Sequence, residues 1–244
     1  MNPISRRRRI WLWILWTLAL VQLIAGALVY PVSSGITRAG GAALFILVWF
    51  GLAALCWKTK MIRYLWLGLT LLAGGFLLWP GRGAGDVEAL RSDYTAAMRR
   101  YDGVKYVWGG ESPLGIDCSG LIRRGLIDAM FCRGIRTLNP HLVRQALALW
   151  WKDCSARDLG DGTRGITVPV MKVKNLNELD HAQLRPGDLA VTSSGVHILA
   201  YLGNLKWLEA DPGAEKVLTL TAPDPNNLWF KGEMKIVRWR ILSE

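Results

Sequence analysis

Three long apolar runs in the first eighty residues constrain the fold of this chain more than any other feature. They cover about residues 10–30, 40–57 and 62–80, so each contains 18 to 21 residues. A helix of that length crosses a hydrocarbon core of about 30 Å. The sequence therefore predicts that residues 1–80 form a membrane anchor of three transmembrane helices.

The basic residues near the ends of these runs predict how the anchor is oriented. Arg6–Arg9 precede the first run, and Lys58, Lys60 and Arg63 surround the loop after the second, whereas the loop between the first two has only Arg38. Cytoplasmic loops carry the excess of Lys and Arg. We therefore expect a multi-pass protein with a cytoplasmic N-terminus and with its C-terminal part outside the cytoplasmic membrane.

The first run is also compatible with a cleaved signal peptide. Arg6–Arg9 form a basic region, and Ala25-Gly26-Ala27 offers a cleavage site of small residues. The apolar stretch reaches or exceeds the upper limit of about 15 residues that is usual for such a peptide, which favours an uncleaved helix. Cleavage would leave two crossings and the same outward-facing C-terminal part.

The net charge of +11 raises the question of nucleic-acid binding. Residues 1–80 hold eight of the 30 basic residues and none of the 19 acidic ones, so the rest of the chain is nearly balanced. A balanced domain behind a basic membrane segment argues against nucleic acid and leaves the lipid bilayer as the expected partner. The four cysteines lack the paired short spacings of a zinc site, so no metal or other cofactor is expected.

The chain after residue 80 has the pattern of one mixed domain. Residues 81–86 are rich in glycine and predict a flexible linker. Residues 87–244 begin with helical periodicity, contain an irregular stretch at 153–184, and end with alternating strands after Pro186-Gly187. Helices followed by a mostly antiparallel sheet are typical of the α+β class.

Cys118 is the first candidate catalytic residue, because it falls at the start of a predicted helix. A helix N-terminus and a neighbouring imidazole lower the pKa of a thiol, and the thiolate is the nucleophile. Asp117 is placed to cap this helix, and the small Ser119 and Gly120 allow a substrate backbone to approach. A buried, inert cysteine is the alternative interpretation.

His197 is the best candidate base for this thiol among the three histidines. His141 and His181 fall in segments that are expected to be solvated, whereas His197 lies in a predicted strand. A three-residue loop at 202–204 would pair His197 with Glu209 on the next strand, so that a carboxylate orients the imidazole. A core histidine and an ordinary strand carboxylate are the alternatives.

Four sequence signatures follow one another along this domain. They are Tyr106-Val107-Trp108-Gly109-Gly110, Gly115-Ile116-Asp117-Cys118-Ser119-Gly120-Leu121, Arg185-Pro186-Gly187-Asp188-Leu189 and Gly195-Val196-His197-Ile198-Leu199-Ala200-Tyr201-Leu202-Gly203. In this order they resemble the NlpC family of papain-like cysteine peptidases, which act on the bacterial cell wall. The resemblance covers about residues 87–242 and none of the anchor. It implies a papain-like domain with helices packed on a mostly antiparallel sheet.

The resemblance also implies a function and a set of site residues. Members typically hydrolyse amide bonds in peptidoglycan stem peptides through an acyl-enzyme and without metal. Cys118 matches the nucleophile, His197 the base and Glu209 the polar third residue, which in the family is often histidine. Tyr106 matches a tyrosine at the oxyanion site, and we expect Asp117 and Ser119 to lie beside it. Such an enzyme would work on the periplasmic side of the bacterial inner membrane.

The spacing of the matched residues departs from the family. Cys118 and His197 are 79 residues apart, which indicates an insertion around residues 132–174. Cys132 and Cys154 bracket part of this insertion and are candidates for a disulfide in an oxidising compartment. Two other functions stay open: a catalytically silent wall-binding module of a membrane complex, and a papain-like amidase or acyltransferase that acts on another amide.

Overall fold

The computed structural model describes residues 3–81 and 83–243, so four residues lie outside the described chain: Met1, Asn2, Arg82 of the predicted linker, and Glu244. The described residues form two compact units, which divide between Trp79 and Pro80. In the described part of the first unit there are three helices and their connections. These helices are α1 (Pro3–Val29), α2 (Gly35–Cys56) and α3 (Lys60–Leu78).

All three helices are long and apolar enough to cross a membrane. Many of their large apolar side chains are exposed, and Leu71 and Leu72 are both 73% exposed. A hydrocarbon environment would cover such side chains without cost. α2 begins at Gly35, earlier than predicted, because Ser34 and Thr37 form a capping box. The prediction of three candidate membrane-spanning helices is confirmed, with adjusted bounds.

The second unit has the predicted α+β class, and the prediction is confirmed. Its described residues form four α-helices, which are α4 (Val87–Arg99), α5 (Cys118–Arg136), α6 (Pro140–Trp151) and α7 (Ala156–Gly160). Two short strands form a hairpin, β1 (Glu111–Ser112) and β2 (Gly115–Ile116). A six-stranded antiparallel sheet with the order β3-β8-β4-β5-β6-β7 contains β3 (Thr167–Val173), β4 (Leu189–Thr192), β5 (Ile198–Gly203), β6 (Lys206–Asp211), β7 (Lys216–Thr221) and β8 (Met234–Trp239).

Helix α5 packs on one face of the large sheet through a continuous apolar core. Its Leu121 and Ile122 are fully buried and belong to the same cluster as Ile198 and Ala200 of β5. Burial of one such side chain stabilises a fold by about 1.5–3 kcal/mol. This packing fixes the first turn of α5 against the start of β5, and a second apolar cluster covers the opposite face of the sheet.

The signature around Pro186-Gly187 has a structural role in the sheet. Asp188 is fully buried, and its carboxylate accepts two hydrogen bonds from the Arg238 guanidinium of β8, at 2.6 and 2.7 Å. The same carboxylate accepts a hydrogen bond from the Arg185 N–H at 2.9 Å. Charge-assisted bonds of this kind compensate for the burial of the carboxylate. Asp188 therefore holds the start of β4 to β8.

The hairpin between β5 and β6 has a different register from the predicted one. Asn204 and Leu205 form its turn, with φ angles of 52° and 62°, and Tyr201 lies opposite Trp207 rather than opposite Leu205. The turn at residues 204–205 alone would shift the pairing by three residues, and the β-bulge at Leu202 reduces the shift to two. A two-residue shift leaves each side chain on its predicted face. Glu209 thus faces the same side of the sheet as His197, but it lies two residues along β6 from the position directly opposite His197.

Described residues of the glycine-rich segment, which the sequence predicts to be a flexible linker, pack against the rest of the second unit. Asn139, the N-cap of α6, donates a hydrogen bond to the Gly83 carbonyl at 2.9 Å, and Ala84 is buried. A β-carbon at position 81 would lie 2.7 Å from the His141 nitrogen, so only glycine fits there. The start of α6, within the predicted insertion, therefore provides the docking surface.

Candidate active site

Asp117 builds the loop that presents Cys118. Its side chain caps α5 by accepting hydrogen bonds from the Gly120 N–H at 2.6 Å and from the Ser119 hydroxyl at 3.0 Å. Its second oxygen accepts a hydrogen bond from the Gly109 N–H at 2.8 Å. Both carboxylate oxygens are therefore used internally, and Asp117 and Ser119 hold the loop and the helix start together.

The Cys118 thiol lies at the N-terminus of α5 and is almost fully buried. Backbone N–H groups of Ser119, Ile198 and Cys118 itself lie near the sulfur and favour its ionised form. Burial and the neighbouring Asp117 charge outweigh them and raise the pKa of the thiol to about 12. Burial therefore opposes the lowering of the pKa that the helix N-terminus provides.

His197 lies directly before β5. The backbone N–H of the next residue, Ile198, contacts the Cys118 sulfur. The imidazole is buried, and its Nε2 is 2.7 Å from the Glu209 carboxylate. Among the described residues, the structure shows no hydrogen bond between the thiol and the imidazole. The structure thus brings His197 and Glu209 into direct contact and places the residue that follows His197 against the Cys118 thiol.

Glu209 has a second partner that the sequence does not suggest. Its other carboxylate oxygen accepts a hydrogen bond from the Asn227 side chain at 2.9 Å. The Asn227 oxygen in turn accepts hydrogen bonds from the backbone N–H groups of Trp229 and Phe230, at 2.8 and 3.3 Å. The fully buried carboxylate is thus held from both sides, and Asn227 is fixed by its own loop.

Trp229 covers the imidazole on one face. The two rings stack with their centroids 4.0 Å apart and their planes inclined by 19°. Because Asn227 and Trp229 are two residues apart in one turn, the same turn orients the carboxylate and the imidazole. Neither residue belongs to a periodic pattern or to a recognised motif, so only their positions in space identify them.

Tyr106 lies on the other side of the thiol and is half-buried. Its backbone N–H donates a hydrogen bond to the Glu215 carbonyl at 2.8 Å, and it forms a bridge with Ile116 just before the loop of Asp117. Burial, together with the charges of Cys118 and Asp117, raises the pKa of the phenol. The hydroxyl therefore stays protonated at neutral pH and can donate a hydrogen bond.

The other two histidines are less exposed than the sequence suggests. His181 is half-buried, and its Nε2 accepts a hydrogen bond from the Trp207 indole at 3.1 Å. Burial lowers the pKa of this imidazole. His141 is also half-buried and packs against Gly81. Both histidines have packing roles, because an aromatic neighbour or a close backbone covers each one.

The predicted disulfide between Cys132 and Cys154 is not formed. Cys132 is exposed on the surface of α5, whereas Cys154 is buried in the core, and all four cysteines are free thiols. A disulfide requires the two β-carbons to face each other at about 3.5–4.5 Å, and a solvent-facing and a core-facing side chain do not. In the described residues, no group of three or more His, Cys, Asp or Glu side chains is arranged to hold a metal.

Comparison with known proteins identifies one family. The NlpC/P60 family model matches residues 103–231, which contain Cys118, His197, Glu209 and Asn227. No curated protein matched the chain.

Three solved structures illustrate the similarity. The P60 domain of an antigen from M. avium subspecies paratuberculosis is 23% identical over 62% of this chain and 96% of that chain, with a TM-score of 0.37. The peptidoglycan hydrolase RipB from Mycobacterium tuberculosis is 21% identical over 78% and 89%, with a TM-score of 0.40. The NlpC/P60 domain of the peptidoglycan hydrolase SagA is 21% identical over 60% and 97%, with a TM-score of 0.37.

Proposed function

The chain belongs to the NlpC/P60 family, and we propose that it is a membrane-anchored cysteine endopeptidase that hydrolyses amide bonds in peptidoglycan stem peptides. The family consists typically of peptidoglycan hydrolases, and RipB and SagA are two solved proteins of this kind. The observation that carries the proposal is the buried pair of His197 and Glu209, 2.7 Å apart, beside the only thiol at a helix N-terminus in the described chain.

His197 acts as the base through Nδ1 in this proposal. In this proposal Nε2–H donates to Glu209, which fixes the tautomer and leaves the lone pair of Nδ1 to accept the proton of the thiol. The buried carboxylate favours the imidazolium once the proton has been transferred. A small rotation of Cys118 is required, since catalytic hydrogen bonds are often long or unformed before substrate binds.

The reaction then follows the acyl-enzyme route. Cys118 transfers its proton to His197, and the sulfur attacks the amide carbonyl. In this proposal the backbone N–H of Cys118 and the Tyr106 hydroxyl stabilise the oxyanion. The imidazolium protonates the leaving amine, and the C–N bond breaks. His197 next removes a proton from water, and hydrolysis of the thioester releases the carboxylate product and restores the thiol.

We further propose that α1, α2 and α3 anchor the enzyme with its catalytic unit outside the bacterial inner membrane. The lengths and apolar character of the helices support the anchoring. The excess of basic residues at the N-terminus and between α2 and α3 supports the orientation. This location would give the enzyme access to peptidoglycan.

A direct assay of the full-length protein tests the proposal. The protein in a non-ionic detergent is incubated with purified peptidoglycan fragments, beside a Cys118→Ala control, and products are identified by mass spectrometry. New stem-peptide termini that depend on the thiol are expected. Joined or transferred peptides would instead indicate an acyltransferase. Binding without any cleavage in either sample would indicate a silent wall-binding module and contradict the proposal.

A further inference from the structure

A cavity of about 390 Å³ is lined by none of the candidate catalytic residues. It is bounded by the second half of α5, by α6 and by the segment after β8. Leu126 and Met130 of α5 line it, eight and twelve residues after Cys118, which corresponds to roughly 12–18 Å along a helix. Its volume falls within the range of about 300–1,000 Å³ that is usual for sites of small ligands.

The floor of this cavity is apolar and buried. Leu126, Met130 and Trp239 contribute side chains that are at most 2% exposed, and the Cys154 thiol lies beside them at 4% exposure. Leu149, Ile166 and Ile241 add half-buried apolar side chains. A hydrocarbon group entering the cavity would lose contact with water at no cost to buried polar groups, which favours an apolar ligand moiety.

The rim of the cavity is cationic. Lys152, Arg164 and Arg240 are exposed, and the lining contains no Asp or Glu. Among the described residues, none of these three cations forms a salt bridge, although the Asp158 carboxylate lies within electrostatic range of Arg164. Backbone carbonyls hold two of them in place: Arg164 donates to Asp153, and Arg240 donates to Gly165. An anionic group at the rim would be attracted by all three charges.

A short stretch of chain joins α3 to the wall of the cavity. Gly81 packs against His141, and His141 lines the cavity. Gly81 follows the last residue of α3 by three positions, which an extended chain spans in at most about 11 Å, whatever the orientation of the two units. If α3 crosses a membrane as proposed above, lipid headgroups lie within reach of this side of the second unit.

We propose that this cavity binds an anionic membrane lipid, with the headgroup phosphate at Lys152, Arg164 and Arg240 and an acyl chain on the apolar floor. The inference rests on the membrane anchoring proposed above, but not on the catalytic mechanism. It gives the inserted α6 a function, because α6 supplies one wall of the cavity. A lipid bound there would hold the second unit at the membrane surface.

Protection of Cys154 from a small thiol reagent tests the site on the full-length protein in a neutral detergent. We expect dihexanoyl phosphatidylglycerol to slow modification of Cys154 at least about tenfold, measured by peptide mass spectrometry. The exposed Cys132 does not line the cavity and should react at an unchanged rate. Dihexanoyl phosphatidylcholine, glycerol phosphate and a soluble stem peptide should each protect weakly.

Each of these probes can overturn the proposal. Equal protection by phosphatidylcholine would show an apolar cavity without selectivity for anions. Equal protection by glycerol phosphate would show a site for free phosphate. Protection by the stem peptide alone would assign the cavity to peptidoglycan. Absence of protection of a reactive Cys154 by any probe would show that the cavity does not bind lipid.

Charge reversal provides a second measurement that does not depend on the reactivity of Cys154. The variant Lys152→Glu/Arg164→Glu should bind phosphatidylglycerol about tenfold more weakly in native mass spectrometry than Lys172→Glu/Lys206→Glu, which changes the net charge equally at exposed positions outside the cavity. Equal binding by the two variants would contradict the proposal. Thiol-dependent cleavage measured on the same samples separates a failure of lipid binding from a failure of the proposed peptidase function.

Discussion

Asn227 contacts the candidate triad without touching the reacting atoms, so we regard it as a positioning residue. Its amide nitrogen holds Glu209, and its oxygen is fixed by the backbone of the turn that carries Trp229. A hydrogen bond to a charged group contributes about 1.5–3 kcal/mol. Loss of this bond would leave one oxygen of a fully buried carboxylate without a partner, and the carboxylate would orient His197 less firmly.

We therefore predict that Asn227→Ala lowers kcat about tenfold to 100-fold and leaves KM nearly unchanged, because substrate contacts are not altered. Steady-state kinetics on a soluble stem peptide measure kcat and KM separately. Asn226→Ala is the matched control, since Asn226 is the exposed neighbour and only its backbone N–H makes a hydrogen bond in this turn. A rise in KM with unchanged kcat would show that Asn227 binds substrate instead.

We expect substitution of His197 to lower activity more than substitution of Glu209. Removal of the base in His197→Ala abolishes proton transfer, and general-base catalysis typically contributes about 100-fold to 10,000-fold. Glu209→Gln keeps an acceptor oxygen for Nε2 but loses the charge that stabilises the imidazolium, so we predict a smaller loss. Comparison of kcat/KM for both variants with the Cys118→Ala background provides the measurement. Equal losses would contradict the assigned roles.

The raised pKa of Cys118 predicts a pH dependence of its reactivity. A thiol with a pKa of about 12 is protonated at lower pH, so its thiolate fraction should rise about tenfold per pH unit through the neutral and mildly alkaline range. Iodoacetamide labelling of Cys118 without substrate, between pH 7 and 10, should follow this slope in the wild type and in His197→Ala. A plateau already present at pH 7 would indicate a preformed thiolate–imidazolium pair.

At the scale of secondary-structure elements, the first turn of α5 tolerates no side chain at Gly120. A β-carbon there would lie 2.2 Å from the Gly110 carbonyl oxygen, which is backbone and cannot rotate away. We predict that Gly120→Ala destabilises the second unit by about 1–3 kcal/mol and lowers activity by displacing the loop beside Cys118. Thermal unfolding of the full-length protein in detergent measures the first effect.

A matched glycine substitution tests whether this effect is local. A β-carbon at Gly232 would meet no atom within 4 Å, and Gly232 has no positive φ angle. Gly232→Ala should therefore leave the unfolding temperature nearly unchanged. Equal destabilisation by both substitutions would show that loss of glycine itself, rather than the contact with Gly110, is responsible.

The β5–β6 hairpin shows what the sequence can and cannot predict about this site. Alternation along a strand has a period of two, so it places His197 and Glu209 on one face in any register shifted by an even number. The register itself depends on the turn at residues 204–205 and on the bulge at Leu202, and strand alternation specifies neither of them. The side on which Glu209 lies is therefore predictable from the sequence, but the diagonal geometry of its hydrogen bond is not.

The sequence also does not predict β3 or the role of Asn227, for similar physical reasons. β3 is an edge strand that contains Pro169 and pairs only with β8, so its sequence lacks the continuous apolar pattern of a central strand. Asn227 acts through a turn whose position next to Glu209 is set by the fold and not by spacing. In contrast, Asp117 and Cys118 are adjacent in sequence, and local capping chemistry alone predicts their placement.

At the scale of the whole molecule, the proposed orientation predicts which cysteines a reagent outside the membrane can reach. Cys132 is exposed on the second unit, so a membrane-impermeant maleimide should label it in intact spheroplasts. A cysteine introduced by Lys58→Cys, in the loop between α2 and α3, should react only after permeabilisation. Peptide mass spectrometry distinguishes the two sites. The reverse pattern would place the catalytic unit in the cytoplasm and contradict the proposed function.

The contacts of Gly81 and Gly83 with the second unit leave little free chain between this unit and α3. Two residues, Trp79 and Pro80, separate α3 from Gly81, and the Gly83 carbonyl is held by Asn139. A longer, solvated linker would let the second unit reach substrate farther from the membrane. With so short a connection, the protein as we propose it would act only on substrate that lies close to the membrane.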